Sequence, residues 1–324
     1  MIAVATLLMA AVAPPGSARG GPLDFTAQTM RMQPKQRRSV LDGAVRLSRD
    51  GLVITGDHAV VEFEPDARVA PAKKPRQEAI DQGLLGQKLK RFTVDGNVHV
   101  QRGSRTADGA HGVLDADAQT LVLTGDGSHD PVLRDGSETL TGDRILMQLD
   151  TEDVDVAKPR LVLRRSLPQD SEAPQLATRV EAARLVLDRS ERVAHFSDDV
   201  VVRRGDVTVR GPRMDARYDS SGQLTHLLLS GGVELRQGER RAVSRNADYD
   251  ASSREVVLTG EPRLFDRGDV LVGERIALAL DSREVRVERA HGRLRPEAHR
   301  NETPRATARP GAAPARPANP EVRR

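Results

Sequence analysis

Histidine and clustered aspartate side chains are the residues of this chain that could hold a metal ion or transfer a proton. The histidines are scattered, and none forms the i, i+4 pair with an adjacent glutamate that binds zinc. Asp150, Asp153 and Asp155 have a spacing that hints at calcium, as do Asp126 and Asp130, but both groups lack the glycine and terminal glutamate of an EF-hand loop. We interpret these aspartates as turn residues and predict no metal site and no cofactor. The eight histidines are His58, His99, His111, His129, His195, His226, His291 and His299.

Sequence motifs for nucleophilic or phosphate chemistry are also missing. The sequence has no Gly-x-Ser-x-Gly elbow, no Gly-x-x-x-x-Gly-Lys loop and no cysteine. Carboxylate pairs such as Asp198 and Asp199 are common in turns and do not indicate a glycosidase without a cleft to hold them. We predict no catalytic residue and no enzymatic activity. A carbohydrate-active enzyme on a repeat fold is the weakest of three functional hypotheses.

Four aspartates recur at a spacing of 31 residues: Asp188, Asp219, Asp250 and Asp281. Each is followed by a small polar cluster and then by an apolar, β-branched run. Aspartate and serine side chains hydrogen-bond to their own backbone and stabilise a chain reversal, so these positions are predicted to be turns between strands. The fixed period predicts one supersecondary unit stacked on copies of itself.

A second kind of turn lies halfway between the aspartates, where a short apolar run ends in a basic residue and glycine, as at Arg204-Gly205 and Arg267-Gly268. Many of the extended runs are broken near the middle by glycine or proline, at Gly211-Pro212, Gly231-Gly232 and 260–262. Such a break bends a strand, because glycine and proline do not continue a flat central ladder. The sequence therefore predicts an all-β fold of repeated, bent antiparallel strands that form two facing sheets, an open β-sandwich.

Composition and low-complexity segments divide the chain. Aromatic residues are only 2% with no Trp, which disfavours a nucleic-acid reader that stacks bases, and the 50 basic and 47 acidic residues are interspersed, as on a solvated surface. Residues 1–20 are predicted to be a signal peptide or an N-terminal apolar segment. Two β modules follow at 21–165 and 177–295, joined by a linker at 166–176. The first module has a solvated insertion at 65–90, in which 79–89 could form a short helix, and a Pro- and Arg-rich tail at 296–324 is predicted to be disordered.

Short phrases in both modules resemble the OstA/LptA family of periplasmic lipopolysaccharide-transport proteins. In the first module they are Leu41–Leu47 (LDGAVRL), Ile54–Ala59 (ITGDHA), Phe92–Val98 (FTVDGNV) and Leu140–Ile145 (LTGDRI). In the second they are Val209–Ala216 (VRGPRMDA) and Leu271–Ile276 (LVGERI). The resemblance covers about residues 24–294, as two tandem OstA-type modules. This chain departs from the simplest family member in having two modules and in the long insertion.

The resemblance implies a twisted β-jelly-roll in the periplasm whose apolar interior holds the acyl chains of lipopolysaccharide. It also implies a bridge between the inner and outer membranes, with LptC-like inner-membrane and LptD-like outer-membrane components joined by edge-strand pairing, and head-to-tail self-association as a further option. The strands at 25–47 and 276–294 are the predicted edges, and proline at Val285 is predicted to weaken assembly. Nucleic acid is not an expected partner.

Apolar residues on the inward side of the best alternating strands are the predicted lining of a lipid groove. The alternative for each of them is an ordinary packed core residue, which makes a structural or adhesive envelope β-repeat protein without lipid cargo the second hypothesis. The predicted lining residues are Val98, Val100, Leu121, Leu123, Val200, Val202, Leu235, Ile276, Leu278 and Leu280.

Overall fold

A computed structural model describes residues 23–64, 89–163, 177–280, 282 and 284–293. Within these ranges the chain forms 24 antiparallel strands in one continuous hydrogen-bonded sheet and a short 3-10 turn at Pro34–Gln36. The predicted all-β class is confirmed. In the part of the chain that is described, no helix is long and apolar enough to cross a membrane. The strands are β1 (Asp24–Thr26), β2 (Thr29–Gln33), β3 (Arg38–Arg49), β4 (Leu52–Phe63), β5 (Leu89–Arg102), β6 (Arg105–Asp115), β7 (Thr120–Thr124), β8 (Val132–Asp135), β9 (Glu138–Thr141), β10 (Arg144–Gln148), β11 (Val154–Ala157), β12 (Arg160–Leu163), β13 (Thr178–Glu181), β14 (Arg184–Asp188), β15 (Val193–Arg204), β16 (Val207–Tyr218), β17 (Leu224–Gln237), β18 (Arg240–Asp250), β19 (Glu255–Thr259), β20 (Arg263–Asp266), β21 (Asp269–Val272), β22 (Arg275–Ala279), β23 (Val285–Glu288) and β24 (His291–Arg293).

The sheet is bent along its length into two facing halves. Eight long strands, β3 to β6 and β15 to β18, run through both halves, and each half is completed by short strands. We call half-sheet A the half that contains β2, β7, β10, β11, β14, β19, β22 and β23. Half-sheet B is the half that contains β1, β8, β9, β12, β13, β20, β21 and β24. Each half thus has sixteen strands among the described residues, and a spacing of about 4.8 Å per strand gives a length of roughly 70 Å.

The bend falls where the sequence predicted it. The pairing register shifts between Arg210 and Arg213 in β16 and between Ser230 and Val233 in β17, and β19 ends just before the predicted break at 260–262. Gly231 and Gly232 both have positive φ, of 90° and 108°, which glycine adopts without the steric cost that a Cβ brings. A two-residue bulge of this kind re-aims the strand, so one strand contributes to both halves.

Two rows of apolar side chains face each other across the bend and form a single core. Each row is continuous from strand to strand, because cross-strand partners on the same side of the pleat are themselves neighbours. We call the space between the two halves the trough and its open side, opposite the bend, the mouth. Row A contains Leu41, Ala59, Val94, Leu123, Ile145, Val156, Leu185, Phe196, Met214, Leu229, Ala247, Leu258 and Ile276. Row B contains Leu47, Ile54, Val100, Ala107, Leu133, Leu140, Leu161, Val180, Val202, Val209, Leu235, Ala242 and Leu264.

The two kinds of predicted turn line the two lips of the mouth. The aspartate turns end the strands of half-sheet A, and the basic-glycine turns end the strands of half-sheet B, where Gly205 and Gly268 have positive φ. The Asp250 carboxylate accepts hydrogen bonds from the Ser252 amide (2.7 Å), the Ser252 hydroxyl (2.6 Å) and the Ser253 amide (3.0 Å). These bonds, led by that of the Ser252 hydroxyl, lower the pKa of Asp250 to about 2. Asp188 and Asp219 accept equivalent bonds, which lower their pKa values, so the turn prediction is confirmed for these three.

Replacing Asp250 by alanine is expected to destabilise the protein at neutral pH and to have a much smaller effect near pH 2. The folded-state pKa lies below the ordinary value of 3.8, so the stabilisation is fully present above that value and is lost as the pH falls through about 2. Urea unfolding of both proteins at pH 7, 4 and 2 checks this expectation. Ser252→Ala, which removes one donor and keeps the two backbone bonds, is the control with the smaller expected effect. A difference between Asp250→Ala and wild type that does not vary with pH would contradict the assignment.

The two predicted modules are joined directly by hydrogen bonds. Strand β11 pairs with β14 and β12 pairs with β13, so the strands on either side of residues 164–176 continue the same two half-sheets. The predicted module boundaries stay a prediction. Leu89 and Lys90, the last residues of the predicted insertion, already belong to β5. The rest of the insertion with the possible helix at 79–88, the N-terminal segment 1–20, the linker, Asp281 and the tail lie outside the described residues.

Candidate functional site

A cavity of about 270 Å³ lies in the trough between the two half-sheets, in the C-terminal half of the chain. Its walls are apolar side chains that point inward from both rows of the core. Tyr218 and Leu224, at the ends of β16 and β17, close it on the side of lip A, and the turn at Arg204–Asp206 forms its rim on lip B. The main apolar lining residues are Leu161, Leu163, Val180, Phe196, Val202, Val207, Val209, Met214, Ala216, Leu227, Leu229, Leu235, Ala247, Val256 and Leu280.

The interior of this cavity is apolar, like a hydrocarbon solvent, and its rim is polar. Buried Val, Leu, Phe and Met side chains offer contact without any directional demand. Tyr218 is buried, and burial, together with the nearby negative charge of Glu138, raises its pKa well above the ordinary value, so its hydroxyl stays neutral. The cavity can therefore hold an alkyl chain.

A smaller cavity of about 60 Å³ lies in the trough of the N-terminal half. Its walls include Leu52, Val100, Ala107, Leu121 and Leu133, all on inward positions. Charged residues of the lips also line the smaller cavity, whereas in the larger cavity charged residues lie only at the rim. Of these two cavities, the one in the C-terminal half of the chain is the larger.

The charged residues over the smaller cavity join the two lips. On lip B, Arg105 binds Asp135 (Nε–Oδ2, 2.8 Å) and reaches across the mouth to Glu152 on lip A (Nη1–Oε2, 3.3 Å). Arg189 on lip A binds the same carboxylate oxygen (Nη1–Oε2, 3.2 Å). Arg102 on lip B lies 3.9 Å from the other oxygen and donates to the Leu149 carbonyl (2.9 Å). We call Arg102, Arg105, Asp135, Glu152 and Arg189 the charged clasp.

The clasp is shielded from solvent, which makes its charges interact strongly. The side chains of Arg105, Asp135, Glu152 and Arg189 are each between 13% and 16% exposed, and Arg102 is 25% exposed. Burial, followed by repulsion from Arg105, lowers the pKa of the Arg189 guanidinium. Contacts of this kind offset the cost of desolvating a partly buried carboxylate.

All ten predicted lining residues point into the trough, but only five of them line one of the two cavities. Val202, Leu235 and Leu280 line the larger cavity, and Val100 and Leu121 line the smaller one. The other five are packed core residues around these spaces: Val98 (1% exposed), Leu123 (0%), Val200 (0%), Ile276 (0%) and Leu278 (7%). Lipid contact by any of the ten stays a proposal.

The sequence reading missed Phe196, Met214 and Tyr249, which line the larger cavity. Phe196 was detectable, since it lies on the inward side of β15 two residues before the bend at Asp198 and Asp199, which both have positive φ. Aspartate tolerates this conformation better than most residues, so the pair that resembled a turn is the bend of the strand. If the alternation of inward and outward residues is counted separately on the two sides of each bend, Phe196 is predicted to point inward.

Five of the histidines, His58, His99, His111, His195 and His226, lie on the outer faces, each paired with an aspartate of a neighbouring strand. His58 lies 2.5 Å from Asp42, and His195 lies 2.8 Å from Asp215, both through Nδ1. Among the described residues, no group of three or more histidine, aspartate and glutamate side chains could hold a metal ion. Asp126 accepts bonds from the amides of Ser128 and His129 (both 2.8 Å), which is turn geometry.

Among the described residues, no strand covers either end of the trough. At the N-terminal end, Phe25 and Met30 continue the two inward rows but are 46% and 37% exposed, because the described chain has no strand beyond β1 and β2. At the other end, the short strands β23 and β24 each pair on one side. Unpaired strand edges of this kind are templates for strand addition.

Comparison with known proteins places this arrangement in a family. The profile of the family described as "LptA/(LptD N-terminal domain) LPS transport protein" matches residues 24–153 and 179–284, together more than half of the chain. The LPS-assembly protein LptD of Pseudomonas savastanoi pv. phaseolicola is 35% identical over 75 residues, which is 23% of this chain and 8% of that protein. LptD of Pseudomonas syringae pv. tomato matches with the same identity and the same shares of both chains. The matched region thus spans less than a tenth of these curated relatives.

A solved structure is similar as well. LptH of Pseudomonas aeruginosa, described as the LptA homologous periplasmic component of the conserved lipopolysaccharide transport device, matches 40% of this chain and 100% of its own, at 22% identity and a TM-score of 0.34. The family profile covers strands from both sides of residues 164–176, and hence both cavities. The chain belongs to the LptA/LptD N-terminal domain family of lipopolysaccharide transport proteins.

Proposed function

We propose that this protein is a periplasmic transport protein that binds lipopolysaccharide by its acyl chains in the trough. The observation that carries this proposal is the apolar cavity of about 270 Å³ between the half-sheets. Its volume is just below the range of about 300–1,000 Å³ that small-molecule sites have. The cavity therefore has room for part of a lipid tail, while the sugar headgroup lies outside the mouth. Family membership supports lipopolysaccharide as the lipid.

The free energy of binding comes from burial of methylene groups. Each CH₂ removed from water contributes about 0.8 kcal/mol, so several acyl segments bind firmly without a specific polar contact. Binding without directional contacts also suits movement, because a tail that slides by one carbon keeps the same kind of contact. A continuous trough of sixteen strands per half-sheet is suited to such movement.

The open ends support a role as part of a bridge between the inner and outer membranes. Phe25 and Met30 at one end, and β23 and β24 at the other, would each be covered if another OstA-type module added its strands in register. LptC-like and LptD-like components, or a second copy of this chain, are the proposed partners. The junction of β11 and β14 inside this chain shows the kind of pairing that such a partner would repeat.

Mass spectrometry of lipid that co-purifies with the protein from a Gram-negative envelope tests the proposed function. We expect lipopolysaccharide, in an amount that rises with the amount of protein, and we expect a variant with a filled cavity to carry less. Protein that is purified without lipid, does not take up lipopolysaccharide in solution and forms filaments would instead favour the structural β-repeat hypothesis.

A further inference from the structure

The charged clasp combines a cluster of cations with an apolar space below it. Arg102, Arg105 and Glu152 line the smaller cavity, whose other walls are largely Leu, Val, Ala and Met side chains. A ligand with a phosphate at one end and a hydrocarbon tail at the other matches this order of groups, with the phosphate at the mouth and the tail in the trough.

The guanidinium groups converge on one carboxylate in the way that they would converge on a phosphate. Arg105 and Arg189 bind the same oxygen of Glu152 from opposite lips, at 3.3 and 3.2 Å, and Arg102 lies beside its other oxygen. Arginine binds carboxylate and phosphate with the same planar set of donors, and the bonds are stronger when the acceptor carries more charge. Glu152 therefore occupies the place that an anionic headgroup would take.

The carboxylates around these guanidinium groups are held in different ways. Three guanidinium groups face two carboxylates within the clasp, Glu152 and Asp135. Asp153 lies next to it and accepts the backbone N–H of Arg189 (2.9 Å). Asp135 binds Arg105 from the same lip and can stay in place when Glu152 turns away. A phosphate with up to two negative charges would then replace one carboxylate with a single charge.

We propose that the clasp is a binding site for a headgroup phosphate, in which Glu152 is the internal competitor that a phosphate-bearing lipid displaces from Arg102, Arg105 and Arg189. This inference rests on the proposed function and adds a polar recognition step to it. The acyl chains are held by the trough, and the clasp selects cargo that carries phosphate.

Equilibrium binding of bisphosphorylated lipid A and of the same lipid without its phosphates tests the proposal. Glu152→Gln should raise the affinity for the phosphorylated lipid about tenfold, and Arg105→Gln should lower it about tenfold, the ratio that one charge-assisted hydrogen bond is worth. Neither substitution should change the affinity for the phosphate-free lipid. Arg102→Gln, at the most exposed position of the clasp, is a second variant that keeps the Arg105 and Arg189 contacts and should also weaken the phosphorylated lipid alone.

A salt bridge of the same kind elsewhere on lip B is the matched control. Arg240 binds Asp266 (Nε–Oδ2, 2.6 Å) on the neighbouring strand of the same half-sheet. Asp266→Asn should leave both affinities unchanged. Equal effects of Glu152→Gln on both lipids, or equal affinity of wild type for both, would overturn the proposal and leave the proposed function intact. Failure to bind either lipid would overturn both.

Inorganic pyrophosphate is the third arm, since it presents phosphate groups without a tail. At the concentration at which the phosphorylated lipid saturates the protein, pyrophosphate should not displace it, because the trough supplies most of the lipid's affinity. Displacement at equal concentration would show that the clasp is a site for free anions and would overturn the headgroup assignment.

Discussion

Phenylalanine in place of Ala247 is expected to abolish most of the lipid binding while the β-fold stays intact. Ala247 is 4% exposed, belongs to row A and points into the larger cavity. A phenyl ring at this position lies where a tail would lie. If the ring displaces about four methylene groups at about 0.8 kcal/mol each, binding weakens by about 3 kcal/mol, or roughly a hundredfold in Kd.

The measurement is lipopolysaccharide binding together with thermal unfolding. Filling a cavity commonly stabilises a protein by about 0.5–2 kcal/mol, so the Ala247→Phe protein should unfold at the same temperature as wild type or above it. Ala216→Phe tests the same space from β16, two strands away from Ala247. Ala118→Phe introduces the same ring in an exposed turn between β6 and β7 and should change neither quantity. Undiminished binding by a folded Ala247→Phe protein would show that tails lie elsewhere.

Much of the fold could be predicted because local chemistry determines it. The turns at Asp188, Asp219 and Asp250 are stabilised by bonds within the next four residues, so a sequence pattern is enough to locate them. The bend at Gly231 and Gly232 follows from the backbone freedom of glycine. A period of 31 residues then repeats these elements, and stacking is the way such units bury their apolar sides.

The site could be predicted only in part, because its shape depends on contacts between the two halves. Parity along a strand placed Val202 and Leu235 on the inner face correctly. It could not distinguish them from Val200, which is fully buried on the same strand as Val202, because the free space depends on how the half-sheets cross. The gap is set by side chains that are far apart in sequence.

The charged clasp is a second feature that the sequence alone did not reveal. Arg105 and Glu152 are separated by 47 residues and lie on different lips, Arg105 at the start of β6 and Glu152 between β10 and β11. In the sequence, each is one charge among many in a chain with 30% charged residues. The two side chains meet because the turns of the two lips lie opposite each other across the mouth. The pairing of the strands determines which turns lie opposite, so the contact cannot be read from the sequence.

The continuous pairing through β11 to β14 has a consequence for assembly. Within this chain, the strands on the two sides of residues 164–176 are joined by the same backbone pairing that an open edge offers to another molecule. The free edge at β23 should therefore accept a further strand with the same geometry. A substitution that blocks only the free side of β23 tests this without disturbing the fold.

Proline at Val285 is expected to weaken end-to-end assembly about tenfold or more and to leave the monomer folded. The Ala279 amide donates to the Glu284 carbonyl (3.0 Å), which makes these two residues a hydrogen-bonded pair. Because such pairs alternate along an antiparallel ladder, Val285, opposite Leu278, has its own N–H directed to the free edge. Proline removes that donor and adds a ring at the edge. One lost bond costs about 0.5–1.5 kcal/mol, to which the steric effect of the ring adds.

Arg286→Pro is the matched control, since the same alternation directs the N–H of Arg286 inward to Ala277 in β22. It should destabilise the C-terminal end of the sheet, whereas Val285→Pro should not. Sedimentation of each variant over a range of concentrations gives the association constant, and hydrogen exchange of β22 reports its stability. Val285→Pro protein that is folded and assembles as wild type does would show that β23 is not the joining edge, and the N-terminal strands with Phe25 and Met30 would then be the edge to test.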